Sequence, residues 1–271
     1  MRTRAILFTA LLGYAGIALS HGDVHERIRD LDHELAHHPK NAELLIKRGR
    51  LFLEDGHADE ARDDFARAIK SAPKRIEALY HLAQAQLMLN QPQAALASVQ
   101  RFLRKAGNDA ARARGLVLSG EILSASDQPL AAAEAYLAAV KLSKEVKPDH
   151  VLYAADAFRS AGKTGKAMEV LDDGIARLGP LHVLAERALM LEMEEGRYES
   201  ALQRVDRMLA SRQRVPFLLY KKGLILKALT RSDESRRTFS AALREIDALP
   251  GSRKQIRAVE NLRTSLLAEL N

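Results

Sequence analysis

From about Ala42 to Asp247, apolar residues fall at spacings of three and four, the signature of amphipathic helices, and the blocks themselves repeat. In the first copy Leu45, Gly49, Phe52, Gly56, Ala61, Phe65, Ala68 and Pro73 mark two helices and the turn between them. A small or apolar residue of the first helix recurs as Gly49, Ala83, Gly120, Ala155, Leu189 and Gly223, at separations of 34, 37, 35, 34 and 34. A residue early in the second helix recurs at the same separations as Ala61, Ala95, Ala132, Ala167, Ala201 and Ser235. Six helical hairpins in one register are therefore predicted.

Each anchor has a physical reason. Two helices joined by a tight turn approach closely only where small residues meet at the crossing, and Gly49 and Ala61 supply that closeness. Leu45, Phe52 and Phe65 fill the space beside it, Gly56 forms the turn, and Pro73 ends the second helix. Where the separation grows to 37, both anchors shift together, so the extra residues are expected between hairpins, in a loop at Ala106, Gly107 and Asn108. Gln86, Leu189 and Ser235 depart from the pattern without breaking it.

The period and this small, aromatic and proline pattern resemble the tetratricopeptide repeat family. The resemblance implies an all-α, right-handed α-solenoid of about six hairpins over 41–249. A His-rich leading helix over 21–40 serves as a half repeat, with Val24, Ile28, Leu31 and Leu35 at helical spacing. A capping helix is expected over 250–271, with Ile256, Val259, Leu262, Leu266 and Leu267 on one face. Because such an array grows by adding neighbours, one domain is expected. Alanine and leucine dominate and aromatic residues are 5%, which agrees with an all-helical chain.

Residues 1–20 are of another kind. Arg2 and Arg4 precede an uncharged apolar run from Ala5 to Leu19, with Ala18 and Ser20 as a small pair, which reads as a signal peptide cleaved after Ser20. A retained membrane anchor is the alternative, although the run falls short of the roughly 20 apolar residues a span needs. Without cysteine, the mature chain has no thiol for lipid attachment or disulfides, and the expected destination is the periplasm of a Gram-negative bacterium, or secretion.

Charge is uneven: from Ala201 onward 15 lysines and arginines face 7 acidic residues, while from His21 to Ser200 the counts are 25 and 28. The basic end is either a solvated face or a contact for an acidic partner or lipid headgroups. The segment shows no nucleic-acid recognition motif and only three aromatics, so nucleic acid is not expected.

Catalytic constellations are missing: there is no phosphate-cradling glycine loop, zinc-protease motif or nucleophile elbow. The paired acids Asp63 and Asp64, and Asp172 and Asp173, are expected to be solvated surface. No enzyme and no cofactor are therefore expected. What remains is a non-catalytic scaffold of the envelope binding a protein or peptide.

In the family this chain resembles, four positions of each first helix line an inner groove. Carried over, they include Glu43, Ile46, Arg50, Glu77, Tyr80, Gln84, Arg114, Val117, Glu121, Asp156, Arg159, Glu186, Met190, Phe217, Tyr220 and Lys227. That mixture of aromatic, methionine and charged residues suits a peptide with apolar anchors. For Tyr80 and Tyr220, packing between repeats is the competing role. The lysine and asparagine clamp that some relatives use for carboxyl-terminal acidic peptides is absent, since Ile46 and Arg50 stand in its place. The alternative function is copper or zinc binding by His21, His25, Asp30, His33 and His37, where His33 and His37 lie one turn apart.

Overall fold

The computed structural model describes residues 14–271, with side chains from Asp23 onward. The first thirteen residues of the expected signal peptide lie outside the described residues. Helix α1 (Tyr14–His37) runs through the expected cleavage point and buries Ile28 and Leu35.

Twelve helices then pair into six hairpins: α2 (Ala42–Glu54) with α3 (Ala58–Ser71), α4 (Glu77–Met88) with α5 (Pro92–Lys105), and α6 (Asp109–Ala125) with α7 (Pro129–Leu142). They continue with α8 (Pro148–Ser160) and α9 (Thr164–Leu178), α10 (His182–Glu194) and α11 (Tyr198–Leu209), and α12 (Val215–Ala228) and α13 (Ser232–Asp247). A short α14 (Gly251–Lys254) and α15 (Arg257–Leu270) close the chain. The described residues contain no strand. The fold is an all-α solenoid of helical hairpins. Where the sequence predicts one array, contacts divide it into two compact units between Lys144 and Glu145. Hairpins that touch only their neighbours have no long-range contacts to oppose such a division.

Volume complementarity holds each hairpin together. Where the first helix offers glycine, the second offers an aromatic ring: a Cβ on Gly49 would come within 2.7 Å of Phe65, one on Gly120 within 2.6 Å of Tyr136, and one on Gly223 would overlap Phe239. At the equivalent places Ala83 is matched with Val99, Ala155 with Leu171, and Leu189 with Val205, all fully buried. The departure at Leu189 is thus answered by a smaller partner. Hydrogen bonds absorb the other two departures. Ser98 Oγ donates to Gln86 Oε1 (2.7 Å), and Ser235 Oγ donates to the Gly223 carbonyl (2.8 Å).

The turn inside every hairpin contains one left-handed residue at the same place: Gly56, Asn90, Asp127, Gly162, Gly196 and Thr230, with φ between 55° and 82°. In the first of these turns the amide of His57 reaches back to the Phe52 carbonyl (2.8 Å), satisfying an orphan acceptor at the end of α2. Thr230 is the costly one, because a β-branched residue is sterically strained there.

Three expectations need correction. The extra residues of the third hairpin do not enlarge a loop. The connection at 106–108 is short, and α6 takes them up as an additional amino-terminal turn. Asn108 permits this by capping α6, its Oδ1 accepting from Ala111 N at 2.8 Å, ahead of an alanine-rich start that favours helix. Asp64 is not solvated: it is 2% exposed and receives two hydrogen bonds from Arg48, Nε at 2.7 Å and Nη2 at 2.6 Å. Hydrogen bonds to Asp64 raise the Arg48 pKa, with burial opposing and Asp32, 2.6 Å away, assisting. Finally, the capping helix is broken at Gln255 and Ile256. Of the expected stripe only Val259, Leu262 and Leu266 are buried, while Ile256 and Leu267 are exposed.

Candidate functional site

The first helices of unit 1 gather most of the expected groove residues of that unit into one continuous cluster. Arg114, from the first turns of α6, lays its guanidinium 4.3 Å above the Tyr80 ring of α4, a cation–π contact, and 5.6 Å from Phe102 of α5. Tyr80 packs at 5.5 Å against Phe102 and meets His81 edge-on at 5.4 Å. His81 stacks on Phe65 at 5.5 Å, and its Nδ1 donates to Gln84 Oε1 at 2.8 Å. Of the two roles weighed for Tyr80, these contacts supply packing between repeats, with Phe102 and Arg114 both against the ring.

Electrostatics define this face further. Burial pushes the His81 pKa down against the hydrogen bond it donates to Gln84, and Arg50 and Arg114 add to the depression, so the ring is held neutral. Burial likewise raises Tyr80, with Arg114 opposing. Glu121 keeps an exposed side chain but stands in space crowded by protein, and that desolvation raises its carboxyl pKa. Among the described residues Arg50, Glu77 and Glu121 form no ion pair, and Val117 is half-buried beside them. Glu43 is taken up by Lys47 (3.2 Å) and Arg75 (3.4 Å). Ile46 must be removed from the groove: it is 7% exposed and belongs to the core cluster with Leu35 of α1, Leu45 of α2 and Phe65 of α3.

A cleft of about 370 Å³ opens beside this face, lined by Arg27, Asp30, Leu31 and Glu34 of α1 and by Lys47, Arg50, Leu51 and Glu54 of α2. The four α1 residues lie 34 positions before Ala61, Asp64, Phe65 and Ala68, the side of α3 that packs on α2. Helix α1 thus turns toward the cleft the face by which a second helix packs on its first.

In unit 2 the same positions are occupied differently. Asp156 pairs with Arg187, Arg159 with Glu194 (3.3 Å), and Lys227 with Glu269 (2.6 Å). Glu186 is held by Lys221 (2.7 Å), Arg214 and His182 (both 3.3 Å). Burial would raise its pKa, but these cations outweigh it and the net shift is downward. Phe217 and Tyr220 are half-buried in the last core cluster, Tyr220 lying 5.9 Å from Phe239. Met190 and Val183 remain open, 43% and 49% exposed.

The sequence reading missed His81, Arg187 and Lys221, which all occupy one position, directly after the residue taken as groove-lining. A signal for them exists. Each stands one helical turn before another groove residue, as His81 does before Gln84.

The expected metal residues do not assemble. His33 and His37 stack edge-on at 5.2 Å, Asp30 lines the cleft, and His25 turns to the buried carboxylate of Asp55 (3.4 Å), which also meets His57 (2.9 Å). Among the described residues no group of three or more histidines and carboxylates is placed to hold a metal ion, and the His21 side chain lies outside them.

Residues 46–111, the first two hairpins and their surroundings, match the family model described as tetratricopeptide repeat. Solved structures share the fold. A tetratricopeptide repeat protein from Parabacteroides merdae ATCC 43184 is 15% identical, with a TM-score of 0.53 over 94% of this chain and 97% of that one. The crystal structure of MamA is 20% identical, TM-score 0.50, over 70% and 99%. YrrB, described as a TPR protein with an unusual peptide-binding site, is 22% identical, TM-score 0.50, over 65% and 89%. No curated protein matches the chain significantly. The chain is thus similar to tetratricopeptide repeat proteins in sequence over 46–111 and in fold along its six hairpins.

Proposed function

We propose that the chain is a non-catalytic scaffold of the bacterial envelope whose first-helix face in unit 1 binds an extended or helical peptide segment of another protein. The observation that carries this reading is the cluster of Arg50, Glu77, Tyr80, His81, Gln84, Arg114 and Glu121. It presents charged groups without ion-pair partners beside a fixed aromatic platform. A peptide placing an apolar side chain beside Tyr80 and Val117, and a carboxylate toward Arg50 or Arg114, would meet both needs. The peptide-binding site named for YrrB, on a chain of like fold, supports the same use of this one.

Export rests on Arg2, Arg4 and the apolar run from Ala5 to Leu19; among the described residues no helix is long and apolar enough to cross a membrane. Mass spectrometry of the exported protein is expected to find His21 as its first residue, and an intact Met1 on membrane-bound material would reverse this. For binding, affinity capture from envelope extract is expected to recover a stoichiometric protein that Tyr80→Ala combined with Arg50→Glu releases, with helix content and melting near wild type. Undiminished capture by that variant would move the site elsewhere.

A further inference from the structure

Each hairpin carries the chain out and back, so the connections between successive hairpins share one edge with the last turns of the second helices. In unit 2 this edge is cationic. It bears Arg207 in the last turn of α11, Arg212 in the following connection, Arg244 in the last turn of α13, Arg253 and Lys254 in α14, and Arg257 at the start of α15. Among the described residues none of these six forms an ion pair, whereas other cations of the unit, such as Lys221, Lys222 and Arg263, each hold a carboxylate. Of the acids in the last turn of α13, Asp247 is already bound to Arg263 at 2.5 Å, and Glu245 stands beside Arg244. From Ala248 to Val259 the chain contains no acidic residue at all.

In the middle of these cations stands Ile256. It is 51% exposed, held in extended backbone (φ −68°, ψ 121°) between α14 and α15, with Lys254 and Arg257 on either side. The break in the capping helix is what turns it away from the core stripe of Val259, Leu262 and Leu266.

We propose that this edge docks on the surface of a bilayer rich in anionic lipid, the six cations facing phosphate headgroups and Ile256 entering the layer between headgroups and acyl chains. Cations near an anionic leaflet each add to binding, and an apolar side chain set among them suits a boundary that is both anionic and apolar. A nucleic acid would satisfy the cations but gives Ile256 nothing to enter, and 248–259 contains no aromatic residue to stack on a base. The edge lies on different residues from the peptide-binding face, so the two proposals stand or fall separately.

The test is co-sedimentation of the full chain with vesicles of phosphatidylglycerol and phosphatidylethanolamine, compared with vesicles of phosphatidylcholine alone. The amino-terminal segment, with Arg2 and Arg4 before its apolar run, is common to wild type and variants, so the change in preference between them reads the basic edge. Binding to the anionic vesicles is expected to be at least about tenfold tighter and to weaken steeply with salt. The triple variant R253E/K254E/R257E should abolish the preference, and R207E/R212E, which leaves the carboxyl-terminal helices untouched, should reduce it. Ile256→Asp should lower binding to the anionic vesicles several-fold, on the order of one buried aliphatic side chain. Circular dichroism confirms that each variant is folded. Equal affinity for both vesicle types overturns the proposal. So does heparin or duplex DNA binding as tightly as the anionic vesicles with Ile256→Asp without effect, which would assign the edge to a soluble polyanion.

Discussion

The first-helix faces of the two units hold similar numbers of charged groups and use them in opposite ways. In unit 2 Asp156, Arg159, Glu186 and Lys227 are each held by a cation or carboxylate, most of them from the next first helix or the capping helix. In unit 1 Arg114 rests on an aromatic ring, while Arg50 and Glu121 are left without such partners among the described residues. The lesson is that groove position alone does not make a binding residue. A charged side chain already held by its neighbour gains little by meeting a ligand, whereas an unpaired one beside Tyr80 does.

Both units nevertheless share one packing rule, and breaking it gives the largest expected effect. Gly49→Leu should destabilise unit 1 by about 3 kcal/mol, because its side chain would enter the Phe65 ring. Adding Phe65→Val should restore most of that loss, since unit 2 already pairs Leu189 with Val205 in the same place. Urea denaturation measures both, and a double variant no more stable than the single one would refute the volume rule.

Next come the buried ion pairs, one in each unit. Asp64→Ala takes the buried partner from Arg48 and leaves it only the exposed Asp32, and Glu192→Ala takes from Arg204 a carboxylate that contacts it through both oxygens at 2.8 Å and leaves it only the exposed Asp172. Each should cost about 3 kcal/mol, the scale for breaking a buried pair on one side. A loss below about 1 kcal/mol would show the pair to be solvated in solution.

Turn chemistry distinguishes the units more finely. Thr230 in unit 2 occupies the left-handed position that Gly56 fills in unit 1, so Thr230→Gly should raise stability by about 1 kcal/mol. Thermal unfolding that shows no gain would mean the Thr230 Oγ1 hydrogen bond to the Leu229 carbonyl (2.7 Å) offsets the strain.

The neutral His81 gives unit 1 a pH dependence. Its folded pKa lies below its unfolded value, so the folded form binds fewer protons. The contribution is fully present above about pH 6.5 and is lost as pH falls through that value toward the folded one. His81→Gln should flatten this part of the stability profile. His150, also depressed by burial, remains in both proteins and cancels in the comparison.

The smallest effect belongs to the exposed pairs of unit 2. Arg159→Ala should change stability by less than about 1 kcal/mol. Arg50→Ala in unit 1 should be equally mild for stability while weakening partner capture. If instead Arg159→Ala weakened capture and Arg50→Ala did not, the functional contrast between the units would be reversed.

Much of this was legible in the chain. The six-hairpin register follows from Gly49 and Ala61 and their equivalents, because a close helix crossing demands a small residue at a fixed place. The turn at Gly56 could be read for the same reason, yet Asn90, Asp127 and Thr230 could not, since other residues adopt that conformation only when neighbouring packing compels it. Ile46 looked like a groove residue by position, and only its packing with Leu35 of α1 and Phe65 of α3 showed it to be core.

By itself the amino-acid sequence determined the helical class and the number and register of the hairpins. These depend on local periodicity and on residue volume, both written along the chain. Only the tertiary structure decided that Asp64 is buried against Arg48, that Leu189 is tolerated because Val205 is small, and that Arg50 and Glu121 stay unpaired on the first-helix face of unit 1 while Asp156 and Glu186 of unit 2 do not. Those outcomes depend on pairings between side chains 12 to 35 residues apart, such as Glu192 with Arg204 or Glu186 with Lys221. Distance and burial set their energies, and both arise only when the helices pack.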